Sequence, residues 1–208
     1  MDRLKVLDHF PTQDKVIAFT FDDGPNPLYT RQLIEIFSKV NGKATFFMLG
    51  DQIDAHEDVT QEVLDAGHEI GNHTYTHPDL TTLTLQDAQS EILRMEERIT
   101  GLTGKKPLTF RPPYFGINKD ILQFVTDRGY YTIGAVNGEA RDWEQPGTEF
   151  IVEQTRKTVD KGKVLIFHDG YGDRSQSVEA VRLLLDELQA EGYRFVTVSE
   201  LIEIYNKQ

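Results

Sequence analysis

The chain has 208 residues, enough for one well-cored domain and short for two. It carries 22 Lys plus Arg against 34 Asp plus Glu, a formal charge of −12, which argues against binding a nucleic-acid backbone or docking on an anionic membrane. There is no cysteine, so thiolate catalysis, a cysteine-based zinc site and a disulfide framework are excluded together, while the compartment stays open.

Residues Met1 to Asp8 contain no uninterrupted apolar region of signal-peptide length, and nothing further on approaches the roughly 18 apolar residues of a spanning helix. The expectation is a soluble chain with an N-terminal extension over 1–14 and a single domain over 15–208. From Val16 onward, short apolar runs alternate with segments of helical period. Strands are expected at 16–21, 44–49, 69–72, 108–110, 131–136, 164–167 and 195–198. A helix is expected over 84–100, where Leu85, Ala88, Ile92, Met95 and Ile99 share a face and Thr84 with Asp87 resembles a capping box. Another is expected over 177–190, with Val178, Val181, Leu184, Leu185 and Leu188 inward and Gly192 closing its end. Such repetition implies parallel strands with right-handed crossovers, in a barrel or a doubly wound open sheet.

The polar residues favour the barrel. Asp22-Asp23 follow the first strand, His73 the third, Arg111 the fourth, Asp142-Trp143 lie beyond the fifth, and His168 follows the sixth. The C-terminal strand ends of a (β/α) barrel ring one mouth, so groups far apart in sequence would converge there. The chain is short against the roughly 250 residues of an eight-stranded barrel, which points to a distorted or incomplete (β/α) barrel with about seven parallel strands.

Each motif alone admits a bland reading. Asp22-Asp23 before Gly24-Pro25 is ordinary turn chemistry, yet two acids at the end of the buried-looking strand Val16 to Phe21 need partners. An ideal strand would send the two side chains to opposite faces, and the Gly24-Pro25 turn would let both lean into one cleft. His73 and His77, spaced i, i+4, would share one side of a helical turn, close enough for one metal. With one acid they make a two-His-one-carboxylate set with open positions, for which Zn²⁺ is the default and Co²⁺, Ni²⁺ or Fe²⁺ would serve. Arg111, stiffened by Pro112-Pro113, is either a rigid-turn arginine or a partner folded against Asp22. His168 is either a core histidine or a proton donor. His9, His56 and His68 find no such company and read as structural or exposed.

Taken in order, Thr20-Phe21-Asp22-Asp23-Gly24-Pro25, His73-Thr74-Tyr75-Thr76-His77-Pro78, Arg111-Pro112-Pro113-Tyr114, Asp142-Trp143 and Leu165-Ile166-Phe167-His168-Asp169 resemble the five motifs of the NodB-homology polysaccharide deacetylases, carbohydrate esterase family 4. The resemblance implies metal-dependent removal of acetyl groups from N-acetylated, sometimes O-acetylated, sugars of chitin or peptidoglycan type. It implies Asp23, His73 and His77 as ligands of one divalent metal, Asp22 as general base tethered by Arg111, and His168 as general acid tuned by Asp142. Tyr114 would offer its backbone N–H to the oxyanion; Pro113, Trp143 and Leu165 would shape the substrate pocket. Relatives usually act outside the cytoplasm or at the wall, whereas the visible N-terminus carries no export signal, which leaves a cytoplasmic location open. Many relatives also carry a Trp near position 136 and an acid near 139; Val136 and Gly138 would make that side of the mouth smaller and more flexible. An acetylxylan or small-amide deacetylase would use the same residues, and a silent glycan-binding domain would keep only the fold.

Overall fold

Eight parallel strands form the frame of the computed structural model, which describes residues 3–207. They are β1 (Val6–Leu7), β2 (Val16–Asp22), β3 (Thr45–Met48), β4 (Glu69–Asn72), β5 (Thr109–Phe110), β6 (Tyr131–Ile133), β7 (Val164–His168) and β8 (Arg194–Phe195). Around them lie α1 (Tyr29–Lys39), α2 (Gly50–Ala55), α3 (Glu57–Asp65), α4 (Leu85–Thr103), α5 (Lys119–Asp127), α6 (Thr148–Arg156), α7 (Ser175–Ala190) and α8 (Val198–Asn206). The spatial order is β1-β6-β5-β4-β3-β2-β7, with β8 paired to the start of β2. This is the curled, incomplete (β/α) barrel expected. Among the described residues no helix is long and apolar enough to cross a membrane.

The first strand lies in the stretch set apart above as an extension. Two residues are too few to show a period, and Val6 is exposed, so its strand character is invisible in sequence. Its backbone nevertheless pairs with β6, and Asp8 O and Phe10 N bond to Val164 N and Gly162 O. The segment thereby bridges the two edges of the barrel.

Strand β2 lies between β3 and β7 with all seven residues buried, as expected of a strand covered on both faces. Its alternate residues Ile17, Phe19 and Phe21 pack outward with Phe37, Leu165, Phe167 and the inner side of α7. Rings pack tightly there: Phe19 and Phe167 stack at 5.7 Å between centroids and Phe21 and Phe46 at 5.1 Å. Thr20 and Asp22 have the opposite parity and face into the barrel. In β7 their registered partners are Ile166 and His168. Register alone thus brings Asp22 beside His168 at the C-terminal end of the sheet.

The opposite end is tied by Glu69. Its carboxylate accepts from Thr45 Oγ1 (2.7 Å), Thr109 Oγ1 (2.8 Å), Ser199 Oγ (2.6 Å) and Ser199 N (2.9 Å), joining β3, β4, β5 and the first turn of α8. Both helix readings hold, with one adjustment in α4. Thr84 caps α4 by accepting from Asp87 N, but Leu85 is 43% exposed and lies off the buried face of Ala88, Ile92, Met95 and Ile99. Strand β6 stops at Ile133 rather than at 136, and the carbonyls of Ile133 and Gly134 are turned to Arg111.

Candidate active site

The chain leaves the β-conformation one residue earlier than expected. Asp23, not Gly24-Pro25, breaks the alternation: its φ is 74°, a left-handed value unusual for a residue other than glycine. Its N–H is held by Phe47 O at 3.2 Å. The following Gly24-Pro25 bond is cis, and a Cβ on Gly24 would meet the Asp169 carboxylate at 2.6 Å, so only glycine fits. Asp22 therefore keeps its inward strand position while Asp23 swings beside it toward the histidines.

His73 follows β4 and is buried. Its Nδ1 donates to Arg111 O at 2.7 Å, which orients the ring so that Nε2 faces Asp23 Oδ1 at 3.5 Å. His77 Nε2 lies 3.2 Å from the same oxygen. The helical turn expected of this pair is corrected: residues 74–77 form a tight loop with φ of 73° at Thr74 and 61° at His77, values no right-handed helix contains. The rings still converge, at 5.0 Å between centroids. One donor atom each from Asp23, His73 and His77 lies within 4.8 Å of the others. Asp23 Oδ1 is buried without a hydrogen-bond partner. Burial alone would raise its carboxyl, but the imidazole of His73, aided by His168 and His77, brings it down to about 2. Burial lowers His77, partly opposed by the neighbouring Asp23.

Arg111 is fully buried, and four of its contacts are hydrogen bonds. It donates to Asp22 Oδ1 at 2.6 Å, Thr20 Oγ1 at 2.7 Å, Gly134 O at 3.0 Å and Ile133 O at 3.2 Å, with its guanidinium 4.2 Å above the Phe47 ring. On the far side, His168 Nδ1 bonds to Asp142 Oδ1 at 2.8 Å, while Asp142 Oδ2 accepts from His168 N and Ser177 Oγ, both at 2.8 Å. Burial works against the imidazolium, yet Asp142 outweighs it and raises His168 to about 9. Since this is above the ordinary 6.5, the pair's contribution to stability is full below pH 6.5 and lost as pH rises through about 9.

These groups open on a cleft of about 490 Å³ lined by Asp22, Asp23, His73, His77 and His168, with walls of Pro112, Tyr114, Phe115, Trp143, Ile166 and Tyr171. The peptidoglycan-N-acetylglucosamine deacetylase of Bacillus cereus is 40% identical over 193 residues, 92% of this chain and 90% of its own length. A family model described as polysaccharide deacetylase matches residues 9–133. The chain belongs to the polysaccharide deacetylase family. The peptidoglycan-N-acetylmuramic acid deacetylase PdaC of Bacillus subtilis is 35% identical over 91% of this chain, which spans 39% of PdaC. A crystal structure of the Bc1960 peptidoglycan N-acetylglucosamine deacetylase superposes with a TM-score of 0.88 at 29% identity, covering 93% of this chain and 91% of that one.

In this polysaccharide deacetylase fold, Asp22, Asp23, His73, His77 and His168 converge on one cleft, whereas the expected wall residues are only partly in it. Leu165 is corrected: it packs with Phe19 and Leu184 beneath the helices, and Ile166 faces the cleft. Parity decides this, because His168 points into the barrel and only residues an even number of places before it share its face. Pro113 is buried, and Pro112 lines the cleft in its place. Tyr114 lies at φ 55° with its ring edge-on to His77 at 4.7 Å. Val136 and Asn137 stand outside the lining, whereas Trp143 further along belongs to it. Val136 packs on the core, and Asn137 is buried, its amide exchanging two hydrogen bonds with the backbone of Ile166. Phe115 and Tyr171, both at left-handed φ, were missed, since no periodicity announces single residues on turns. His68, read as structural, accepts from Ala44 N and is lowered by burial to about 4.

The two neighbours in β7 give a direct test. Leu165→Ala is expected to cost about 2–5 kcal/mol in denaturant unfolding while leaving ligand affinity unchanged. Ile166→Ala is expected to raise KM or ligand Kd with a smaller stability loss. Equal effects on binding would mean that the face assignment is wrong.

Proposed function

We propose that the protein is a metal-dependent deacetylase acting on glycans that contain N-acetylglucosamine, of peptidoglycan or chitin type. The observation that carries this reading is the convergence on one cleft of a ligand trio, an arginine-tethered carboxylate and a carboxylate-tethered histidine. The trio suits a divalent cation of zinc type: one oxygen and two nitrogens converge, Asp23 Oδ1 has no hydrogen-bond partner, and His73 is oriented by Arg111 O. Asp23, His73 and His77 would hold the ion, whose chemistry when bound is to polarise the acetyl carbonyl and acidify a water.

The chain's own residues supply the rest. Asp22, fixed by Arg111, takes a proton from the attacking water as the water oxygen bonds to the carbonyl carbon and the C=O pair moves onto the carbonyl oxygen. The backbone N–H of Tyr114 is proposed as a donor to the oxygen that becomes negative, a contact type worth about 3 kcal/mol in other hydrolases. His168, held protonated by Asp142, gives its proton to nitrogen as the C–N bond breaks, releasing acetate and a free amine. Ile166 and Trp143 would receive the acetyl methyl, while exposed rings of Tyr114, Phe115 and Tyr171 would face the sugar. The peptidoglycan activity named for the full-length-matching relative supports a wall glycan, and hence a site of action outside the cytoplasm. A silent glycan-binding domain would be expected to have lost a ligand, base or acid, and every such position is filled here.

Acetate release from chitooligosaccharides, peptidoglycan and acetylxylan, with and without chelator, separates these readings. Release from the N-acetylated glycans is expected, abolished by chelation and restored by Zn²⁺. Activity surviving thorough chelation contradicts the metal mechanism; glycan binding without release favours the silent domain.

The His168 shift sets the alkaline limit. Amide turnover should fall about tenfold per pH unit above a pKa at or below about 9, the nearby metal charge opposing a second cation. The fall should be weaker on activated esters, whose leaving groups need no proton. Identical pH profiles for amide and ester would argue that His168 is not the acid.

A further inference from the structure

The loop bearing His77 is gripped from two sides by groups outside the five motifs. Its carbonyls are taken by the first turn of α2: Gly50 N donates to Thr74 O at 3.2 Å and Asp51 N to Tyr75 O at 3.0 Å. Its amides are taken by one carboxylate of α4. Glu91 Oε2 accepts from Tyr75 N at 3.0 Å and Thr76 N at 2.8 Å, and Glu91 Oε1 from Thr76 Oγ1 at 3.1 Å. The Glu91 side chain is 15% exposed, and Arg94, whose guanidinium lies 3.7 Å over the Tyr75 ring, approaches it only to 4.0 Å. The Tyr75 ring in turn packs on Gly50, where a Cβ would meet it at 2.2 Å.

This grip acts on a segment that would not hold itself. Thr74 and His77 both carry left-handed φ without being glycine, a conformation that relaxes unless its surroundings fix it. Between them stand the two amides that Glu91 accepts from, and His77 N itself reaches only Thr74 Oγ1, at 3.1 Å. Glu91 touches neither the ligand atoms nor the cleft lining.

We propose that Glu91 is a positioning residue for the metal: its carboxylate holds residues 75 and 76 so that His77 Nε2 meets Asp23 and His73 at ligand spacing. The proposal rests on reading Asp23, His73 and His77 as a metal site. It puts the determinant of metal affinity partly on helix α4, outside the ligand motifs.

The test is Zn²⁺ affinity of the full chain, by competition with a chromogenic chelator, beside thermal unfolding of the metal-free protein. Glu91→Ala is expected to weaken Zn²⁺ binding roughly 10- to 100-fold, the range for removed ligand-orienting partners. Glu91→Asp keeps the charge but draws the carboxylate back by one methylene, and is expected to weaken binding several-fold. Ile92→Val, which trims the core on the same helix, should lower the unfolding temperature without changing affinity. Wild-type affinity in both Glu91 variants, or in Glu91→Asp where Glu91→Ala does not fold, overturns the proposal. So does an Ile92→Val loss equal to that of Glu91→Ala. A parent chain that binds no Zn²⁺ overturns the metal reading itself, and Glu91's role with it.

Discussion

A charged guanidinium with no solvent exposure sits at the centre of this barrel, and the mouth is organised around it. Arg111 reaches from the end of β5 to the inner face of β2, and its donors are spent on Asp22, Thr20 and the two carbonyls where β6 ends. An unpaired charge there would be prohibitive, and breaking a buried pair of this kind costs about 3–5 kcal/mol. The same bonds have chemical consequences. They hold Asp22 at one orientation, they stop β6 short, and Arg111's own carbonyl sets the tautomer of His73. The placement of Asp22 and of His73 thus depends on a single side chain and its backbone.

The second constraint is that two sequence neighbours do unlike work. Strand pairing commits Asp22 to the inner face opposite His168, and a left-handed residue immediately after it turns Asp23 toward the histidines. Each group then has its own electrostatic partner: arginine for Asp22, imidazoles for Asp23, and Asp142 for His168. Carboxylate and imidazolium are separated by what lies behind them. That division is what an acid–base hydrolysis requires of groups sharing one cleft.

Much of this was legible in the sequence, for identifiable reasons. Strands β2, β3 and β7 are largely apolar, buried runs, and the ends of β2, β4 and β7 carry the polar residues that mark the mouth. What failed to read was conformation below the scale of an element. Spacing alone suggested a helical turn for His73 and His77, although backbone bonds to neighbouring elements fold that segment into a left-handed loop. Leu165 was placed one residue off the cleft-facing parity, a slip that moves a side chain across the whole sheet. Strand β1 and the rim rings Phe115 and Tyr171 have no periodic signal, since tertiary pairing and single turn residues create them.

Bound zinc per chain, measured alongside turnover in Asp22→Asn and His77→Ala, tests the unequal assignment of Asp22 and Asp23. The assignment predicts full zinc with turnover down about 10²- to 10⁴-fold in Asp22→Asn, and loss of the zinc itself in His77→Ala. Loss of zinc in Asp22→Asn to the same degree would contradict it.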